Sequence, residues 1–508
     1  MLNSDELKIL WVSAELDPYS KVSGVGDVSR GLPKALYDSG IDIRIMVPRY
    51  KFINPEEHGF IRVFKGKFPF IQGEIIVWEG KLTNHDLTIY FVEHEIFKDE
   101  KKVCLDIEKT NVEKTGMKFL FLSRLSVETK KMVGWTPNII HANDWHTATI
   151  PAFVKAFPPC KKNKVGTILT IHNLAYQGRI PVHLLEKIGL PHIYFGDLIE
   201  NDTVKLLRIG IKWADKITTV SPTYAKEILY TDLGFGLQND LIKRKNDLVG
   251  ILNGIDTEEW DPETDENIPQ NFSKKDLSGK QVCKRTLQKT YNLKQDPNMF
   301  TLGMIARISK QKGFDLLIEA LPDLSKEKIQ IVILGEGDQK IKEEIRNAAN
   351  DYSDTLSVKF GYDFRLARII YAGTDAFLIP SKFEPCGLTQ MYAMRYGSIP
   401  IAHKTGGLAD TVLDTGEFKT GFLFEKYDKD SFVNAIIEAY NVYSLNKEKW
   451  EHIVKVAMSQ DHSWKRRVNE WKTLYNEILI NIRKKEFEKI SPEKTSNNDS
   501  IDIREFFK

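Results

Sequence analysis

Residues 380–412 read PSKFEPCGLTQMYAMRYGSIPIAHKTGGLADTV. The apolar run DAFLIPS, from Asp375, precedes the cluster Glu384-Pro385-Cys386-Gly387, and a helix-like run over 388–396 follows it. A carboxylate therefore stands at the carboxyl end of a strand, just before a helix N-terminus. Such a terminus offers unpaired N–H groups and partial positive charge to an anion. Glu384 cannot hold a phosphate, but it can hold sugar hydroxyls beside one. Gly406-Gly407 opens a second helix nearby with bare backbone. The position of Cys386 before a helix N-terminus favours a thiolate, so it is expected to be the most readily alkylated cysteine.

The same strand-then-helix alternation runs along the whole chain. Strands are expected at 9–14, 41–47, 139–142, 167–171, 217–220 and 248–252. The pattern restarts at 301–306, 329–334, 356–360, 376–380 and 399–402. Alternation of this kind builds parallel α/β layers. Two units of about 200–250 residues follow, joined through the polar, proline-containing stretch 254–292 (DPETDENIPQ at its centre). The residues from Lys484 onward are charged and poor in core residues, and read as a frayed helix end followed by disorder.

The chain has 508 residues, 42% hydrophobic and 28% charged, with a formal net charge of +2. Such a balance gives no polyelectrolyte attraction, so neither nucleic acid nor a membrane is expected as partner. No apolar run reaches the ~18 residues of a membrane span. The four cysteines (104, 160, 283, 386) show no metal-ligand spacing. They fit a reducing compartment. The opening MLNSDELKILWVSAE lacks the basic flank and apolar stretch of a signal peptide, and a cytoplasmic location is expected.

Chemistry-bearing residues gather at strand ends. The first strand runs into Glu15 and then Lys21-Val22-Ser23-Gly24-Val25-Gly26-Asp27-Val28. Its glycines allow close backbone approach to a ligand and Lys21 supplies a cation to phosphate. A dinucleotide fingerprint fails there, since Ser29 stands in place of the third glycine and the second strand ends without a ribose-binding acid. His141-Ala142-Asn143-Asp144-Trp145-His146 and His172-Asn173 end two further strands. Polar groups beside an aromatic suit a sugar, and a zinc site is the weaker alternative because no HExxH occurs. Arg307, Lys310 and Lys312 follow a strand in the second half, where cations can clamp a diphosphate and stabilise it as it departs. Asp428-Lys429-Asp430 is the only D-x-D, and reads as a helix cap rather than a metal site.

Together these segments resemble the glycogen and starch synthases of bacterial and plant type. The motifs are the 21–28 loop, HANDWHTA, TIHNLAYQG, ADKITTVSPTYAKEI, GILNGIDTEEWDP, RISKQKGFDLL and PSKFEPCGLTQMYAMRYG, followed by TGGLADTV, over about residues 7–480. The resemblance implies a GT-B fold, with two Rossmann-like domains facing a deep cleft. It implies an acceptor-side domain over 1–253, a nucleotide-sugar domain over 254–463, a helix over 464–483 crossing back to the first, and a tail over 484–508. It implies a retaining transfer of glucose from a nucleotide-sugar, ADP-glucose preferred, to the non-reducing end of an α-1,4-glucan, with no metal or other cofactor. Lys21, Arg307 and Lys312 would hold the diphosphate. Glu384 would hold the glucose, approached also by the backbone of Gly387 and Leu388 beside Cys386. His172 and Asn253 would contact the sugar near its 6-hydroxyl, and Asp144 would order the acceptor pocket. Tyr362 would stack on the base, while Gly24, Asp27 and Thr389 would line the ribose and phosphates. Two departures stand out: Ser23 occupies a position that is glycine in the family, and the stretch 98–118 is lysine-rich where acceptor-side residues are usual.

Overall fold

The computed structural model describes residues 7–98, 103, 106–160 and 164–490, with side chains as far as Lys484. The first nine sheet strands in chain order are β1 (Lys8–Val12), β2 (Asp42–Pro48), β3 (Ile61–Gly66), β4 (Ile75–Lys81), β5 (Thr88–Glu93), β6 (Ile139–Asn143) and β7 (Gly166–Ile171), then a small hairpin of β8 (Arg179–Pro181) and β9 (Thr203–Lys205). After them come β10 (Lys216–Thr219), β11 (Leu248–Gly250), β12 (Phe300–Ile305), β13 (Ile329–Gly335), β14 (Leu356–Phe360), β15 (Ala376–Ile379), β16 (Ile399–His403) and β17 (Phe422–Phe424).

Two sheets result. The first has the order β11-β10-β7-β6-β1-β2-β5-β4-β3, and the second β14-β13-β12-β15-β16-β17. The second is parallel throughout, and in the first only the β5-β4-β3 edge is antiparallel. β1, β6, β7, β12 and β13 are buried along nearly their whole length, as parallel strands covered by helices on both faces must be.

Strand order reverses between β1 and β6 in the first sheet and between β12 and β15 in the second. At such a switch point the flanking helices diverge to opposite faces and leave a crevice at the carboxyl ends of the strands. The loops following β1, β6, β12 and β15 carry Lys21, Asp144, Arg307 with Lys312, and Glu384, respectively.

The chain crosses between the domains twice. Ile255 N–H bonds the His462 carbonyl at 2.9 Å, and Ile255 pairs with Ser463. The final helix, Trp464–Ile490, then lies on the first domain. A Cβ on Gly31 would stand 2.0 Å from Trp464 Nε1, and one on Gly166 2.4 Å from Ile478. His141 is bonded to Tyr475 Oη at 2.8 Å and to Thr170 Oγ1 at 2.6 Å, so it anchors this helix rather than facing the cleft.

Three expectations change. The stretch 254–292 is no open linker. Helix Ser278–Thr290 belongs to the second domain, and Arg395 holds the Trp260 carbonyl and the Asp261 carboxylate. The lysine-rich stretch 98–118 is not one surface segment: residues 112–118 begin helix Val112–Ser126, with Lys118 buried in it, and most of 99–105 lies outside the described residues. The final helix continues to Ile490, and the tail expected to be disordered lies, beyond that point, outside the described residues. Asp428 caps its helix as expected, accepting the Ser431 N–H at 2.8 Å. Among the described residues no helix is long and apolar enough to cross a membrane.

Candidate active site between the two switch points

The first-domain wall begins at Glu15, which is buried. Its carboxylate accepts the Val22 N–H at 2.8 Å, the Ser23 N–H at 2.7 Å and the Ser23 hydroxyl at 2.7 Å. Burial pushes the Glu15 carboxyl above its ordinary value, and these three donors oppose the shift. The side chain that Ser23 adds is therefore turned onto Glu15. It also accepts the Val25 N–H, capping helix Gly24–Asp38.

The adjoining Lys21 donates to Asp27 Oδ1 at 2.6 Å. Burial works against the ammonium, but Asp27 and Asp17 outweigh it and hold the Lys21 pKa above its ordinary value. Gly24 faces the other domain: a Cβ there would meet Leu388 Cδ1 at 3.6 Å.

Behind this wall, Asp144 sits at φ +52°, buried at the end of β6. Its Oδ1 accepts the N–H of His172 at 2.7 Å and of Asn173 at 3.4 Å. Burial raises its carboxyl to about 7. The neighbouring His172 is lowered to about 3, by burial first and His146 second, so its imidazole is neutral. Asn143 Nδ2 donates to the Val12 carbonyl at 3.0 Å, which turns its Oδ1 toward His172 Nε2, also at 3.0 Å. Nε2 then carries the proton, and Nδ1 is left as an acceptor.

In the second domain the 310–312 turn lies against the end of β15. Gln311 bonds the Phe383 carbonyl at 3.0 Å and accepts the Lys382 N–H at 2.8 Å. Gly313, at φ +76°, has no room for a side chain, since a Cβ would stand 1.9 Å from the Pro380 carbonyl oxygen. That contact places Lys312 Nζ 2.5 Å from Glu384 Oε2, which also accepts the Ser381 hydroxyl at 2.9 Å. Gln390, buried, holds the Cys386 and Gly387 carbonyls at 3.0 Å each. Thr389 begins the helix behind them, Thr389–Arg395.

Arg307 crosses the cleft to donate to Tyr176 Oη at 2.8 Å. Tyr362 is 86% exposed, its ring open to solvent, and its hydroxyl lies within electrostatic reach of Lys21 and Asp27. The arrangement thus brings cations from both domains, a sugar-competent carboxylate and a neutral histidine to the carboxyl ends of two facing sheets.

Residues 8–243 match the starch synthase catalytic domain family, and residues 284–453 match the group 1 glycosyl transferases. A glycogen synthase from an Anaeromyxobacter species is 37% identical over 479 residues, covering 93% of this chain and 99% of that one. The chain belongs to the glycogen and starch synthase family. A glycogen synthase of Francisella tularensis subsp. holarctica is 35% identical over 494 residues, with the same shares covered. Among solved structures, the catalytic domain of starch synthase IV from Arabidopsis thaliana, bound to ADP and acarbose, superposes with a TM-score of 0.85 at 32% identity, over 93% of this chain and 99% of that one. Sucrose-phosphate synthase from Thermosynechococcus elongatus, at 16% identity and a TM-score of 0.58 over 94% and 100%, shares the fold. The fold is GT-B, and the chain is a glucosyltransferase of the synthase type.

One site residue of this synthase behaves otherwise than expected. Cys386 is buried, and burial pushes its thiol up to about 12. A backbone hydrogen bond with Asn253 opposes this and is outweighed. Desolvation of the thiolate overrides the helix terminus. We expect iodoacetamide labelling, read by mass spectrometry, to modify the half-exposed Cys160 ahead of Cys386 and Cys283. First modification at Cys386 would reverse this assignment. Asn253 meets the site through that same contact, at the point where the chain leaves the first domain.

Tyr176, Gln390 and Glu15 were not singled out from sequence as site residues. Tyr176 lies within TIHNLAYQG, and its spacing from His172 at a strand end was the available signal.

Proposed function

We propose that this chain transfers glucose from a nucleotide-sugar to the non-reducing end of an α-1,4-glucan with retention, ADP-glucose being the preferred donor. In this reading 1–253 form the acceptor side and 254–463 the donor side. The observation that carries it is the Lys312–Glu384 pair at the second-domain switch point, with the first-domain switch-point loop of Lys21 and Gly24 approaching Leu388 of the same second-domain loop.

Lys21, Arg307 and Lys312 hold the diphosphate, Glu384 takes glucose hydroxyls, and His172 Nδ1 accepts a hydroxyl near C6. The backbone of Gly387 and Leu388 approaches the sugar, with Asn253 beside it. Gly24, Asp27 and Thr389 line the phosphates and ribose, Tyr362 stacks on the base, and Asp144 orders the acceptor pocket. The bond from glucose C1 to the diphosphate oxygen breaks and its electron pair leaves with that oxygen. The acceptor O4 adds to C1 on the same face, and its proton passes to the departing phosphate oxygen. Cations fixed in place stabilise the charge that develops on the leaving group. Closure of the cleft excludes water and favours transfer over hydrolysis.

A base-stacking tyrosine tolerates either purine or pyrimidine, so the donor preference rests on kinship: the Arabidopsis relative was solved with ADP. Incubation with glycogen and equimolar ADP-glucose and UDP-glucose, reading the ratio of nucleoside diphosphates released, tests it. We expect ADP to dominate. A ratio favouring UDP overturns the preference, and no release of either makes the chain a glucan-binding homologue instead.

Among the described residues no group of three or more His, Cys, Asp and Glu could hold a metal ion. With three cations on the diphosphate, we expect activity in EDTA to match untreated enzyme. Loss restored by magnesium or manganese would overturn this. The bacterial relatives and the cysteine usage support a cytoplasmic enzyme.

A further inference from the structure

Away from the reacting groups, two helices from different domains meet across the edge of the cleft. Helix Pro222–Tyr230 follows β10 in the first domain, and helix Gly406–Thr411 follows β16 in the second. Thr223 donates its N–H to Asp410 Oδ2 at 2.9 Å and its hydroxyl to Asp410 Oδ1 at 2.6 Å. In return Glu227 Oε1 accepts the Gly406 N–H at 3.0 Å and the Thr405 hydroxyl at 3.0 Å. Each helix thus places a carboxylate on the first turn of the other, where unpaired N–H groups and the helix dipole favour negative charge.

The second-domain half of this contact lies directly against the Glu384 loop. Gly407 donates its N–H to the carbonyls of Glu384 and Pro385, at 3.1 Å each. Gly406, at φ +44°, is pressed so close that a Cβ would stand 2.0 Å from the Glu384 carbonyl oxygen. One turn, Thr405–Gly407, therefore touches the Glu227 side chain on one side and the Glu384 main chain on the other.

We infer that the reciprocal contact of Glu227 and Asp410 is a clamp made and broken in each turnover, and that through it closure of the first domain positions Glu384. The inference rests on the proposed glucosyl transfer only for what Glu384 does. Its chemistry suits repeated opening. Carboxylates and short hydroxyls regain water when the helices part, so separation costs little. The crossing at Ile255 and Ser463, by contrast, is backbone pairing packed on Trp464. Glu227 and Asp410 are positioning residues, since neither faces Lys312, Lys21 or the sugar carboxylate in the hydrogen bonds they make.

The test uses the full chain carrying Thr223→Cys with Asp410→Cys. Oxidation that joins the pair should cut steady-state transfer at least ~10-fold, and a reductant should restore it, because a cleft held shut cannot exchange ligands. Full turnover by the joined protein would mean the contact is static and would overturn the inference.

Small-angle scattering supplies a readout without chemistry. Wild type should compact on adding ADP, and Glu227→Ala with Asp410→Ala should need at least ~10-fold more ADP to compact, the shift expected when a closed state loses a differential contact. Glu227→Gln keeps the acceptor oxygen and should compact like wild type with the donor KM near normal. Compaction of the double alanine variant at the wild-type ADP concentration would also overturn the clamp. A wild-type chain that compacts with ADP yet transfers no glucose would remove the proposed activity and leave the clamp standing.

Discussion

Glu384→Ala and Lys312→Ala are each expected to lower kcat by at least ~100-fold, the scale on which one preorganised transition-state contact is lost. The two side chains are 2.5 Å apart, and the Ser381 hydroxyl also donates to the carboxylate. In the proposed mechanism Lys312→Ala removes a cation from the leaving diphosphate and also frees Glu384 to swing away from the sugar. Glu384→Ala removes the proposed sugar ligand and leaves Lys312 without its carboxylate partner. Both positions are tied through their neighbours, the Gln311 side-chain amide on the Phe383 carbonyl and the Lys382 N–H on the Gln311 carbonyl, so neither change should unfold the loop. Thermal melting within a few degrees of wild type, with the activity loss intact, is the expected pairing of results. Glu384→Gln keeps an acceptor for a sugar hydroxyl but breaks the ion pair, and should fall between the two. Wild-type kcat in both folded alanine variants would remove these residues from the mechanism.

Much of this site was legible in the sequence because its parts are local. β1, β6, β7, β12 and β15 are short, mainly apolar runs, and the loops carrying Lys21, Asp144, His172, Arg307 and Glu384 each follow on one of them. The antiparallel edge was not legible. β3 is largely exposed, with Ile61 at 64%, so it shows no buried run and no clean alternation. β17 has only three residues, too few for any periodicity to register. The polar stretch 254–292 looked like a linker because its charges are read as solvated, yet Glu259 and Asp265 pair with the buried Arg368. Cys386 was misjudged because a helix terminus is visible in sequence and the depth at which a thiol lies is not. Tyr176, Glu227 and Asp410 act through partners 131 to 187 residues away. No local pattern encodes such a pairing; only the closing of one sheet onto the other does.

Asp144→Asn is expected to raise stability while lowering activity. In the folded chain burial lifts the Asp144 carboxyl to about 7. In the unfolded chain it titrates near ~3.9. Between these values the folded state binds a proton that the unfolded state has lost, so stability declines as pH rises from about 4 to about 7 and then levels off. Asparagine carries no charge, keeps the oxygen that receives the His172 and Asn173 N–H groups, and tolerates the left-handed backbone at φ +52°. The variant should therefore lack this part of the decline and exceed the parent by up to about 4 kcal/mol at pH 8. Glu15, whose carboxyl is also raised, slopes the same way in both proteins; its charge is one cause of the rise at Asp144, so removing the Asp144 charge also eases Glu15 and adds to the difference in the same direction. A buried carboxyl that costs its own domain stability is a candidate for a functional role, and the proposed function gives Asp144 one in the acceptor pocket. Transfer to glycogen should fall at least ~10-fold in the same variant, since the pocket loses a group able to change charge near neutral pH. Denaturant unfolding of both proteins from pH 4 to 8, with kcat measured alongside, checks the pair of effects. Equal pH slopes for the two proteins, or full activity in the variant, would show that Asp144 is an ordinary turn residue.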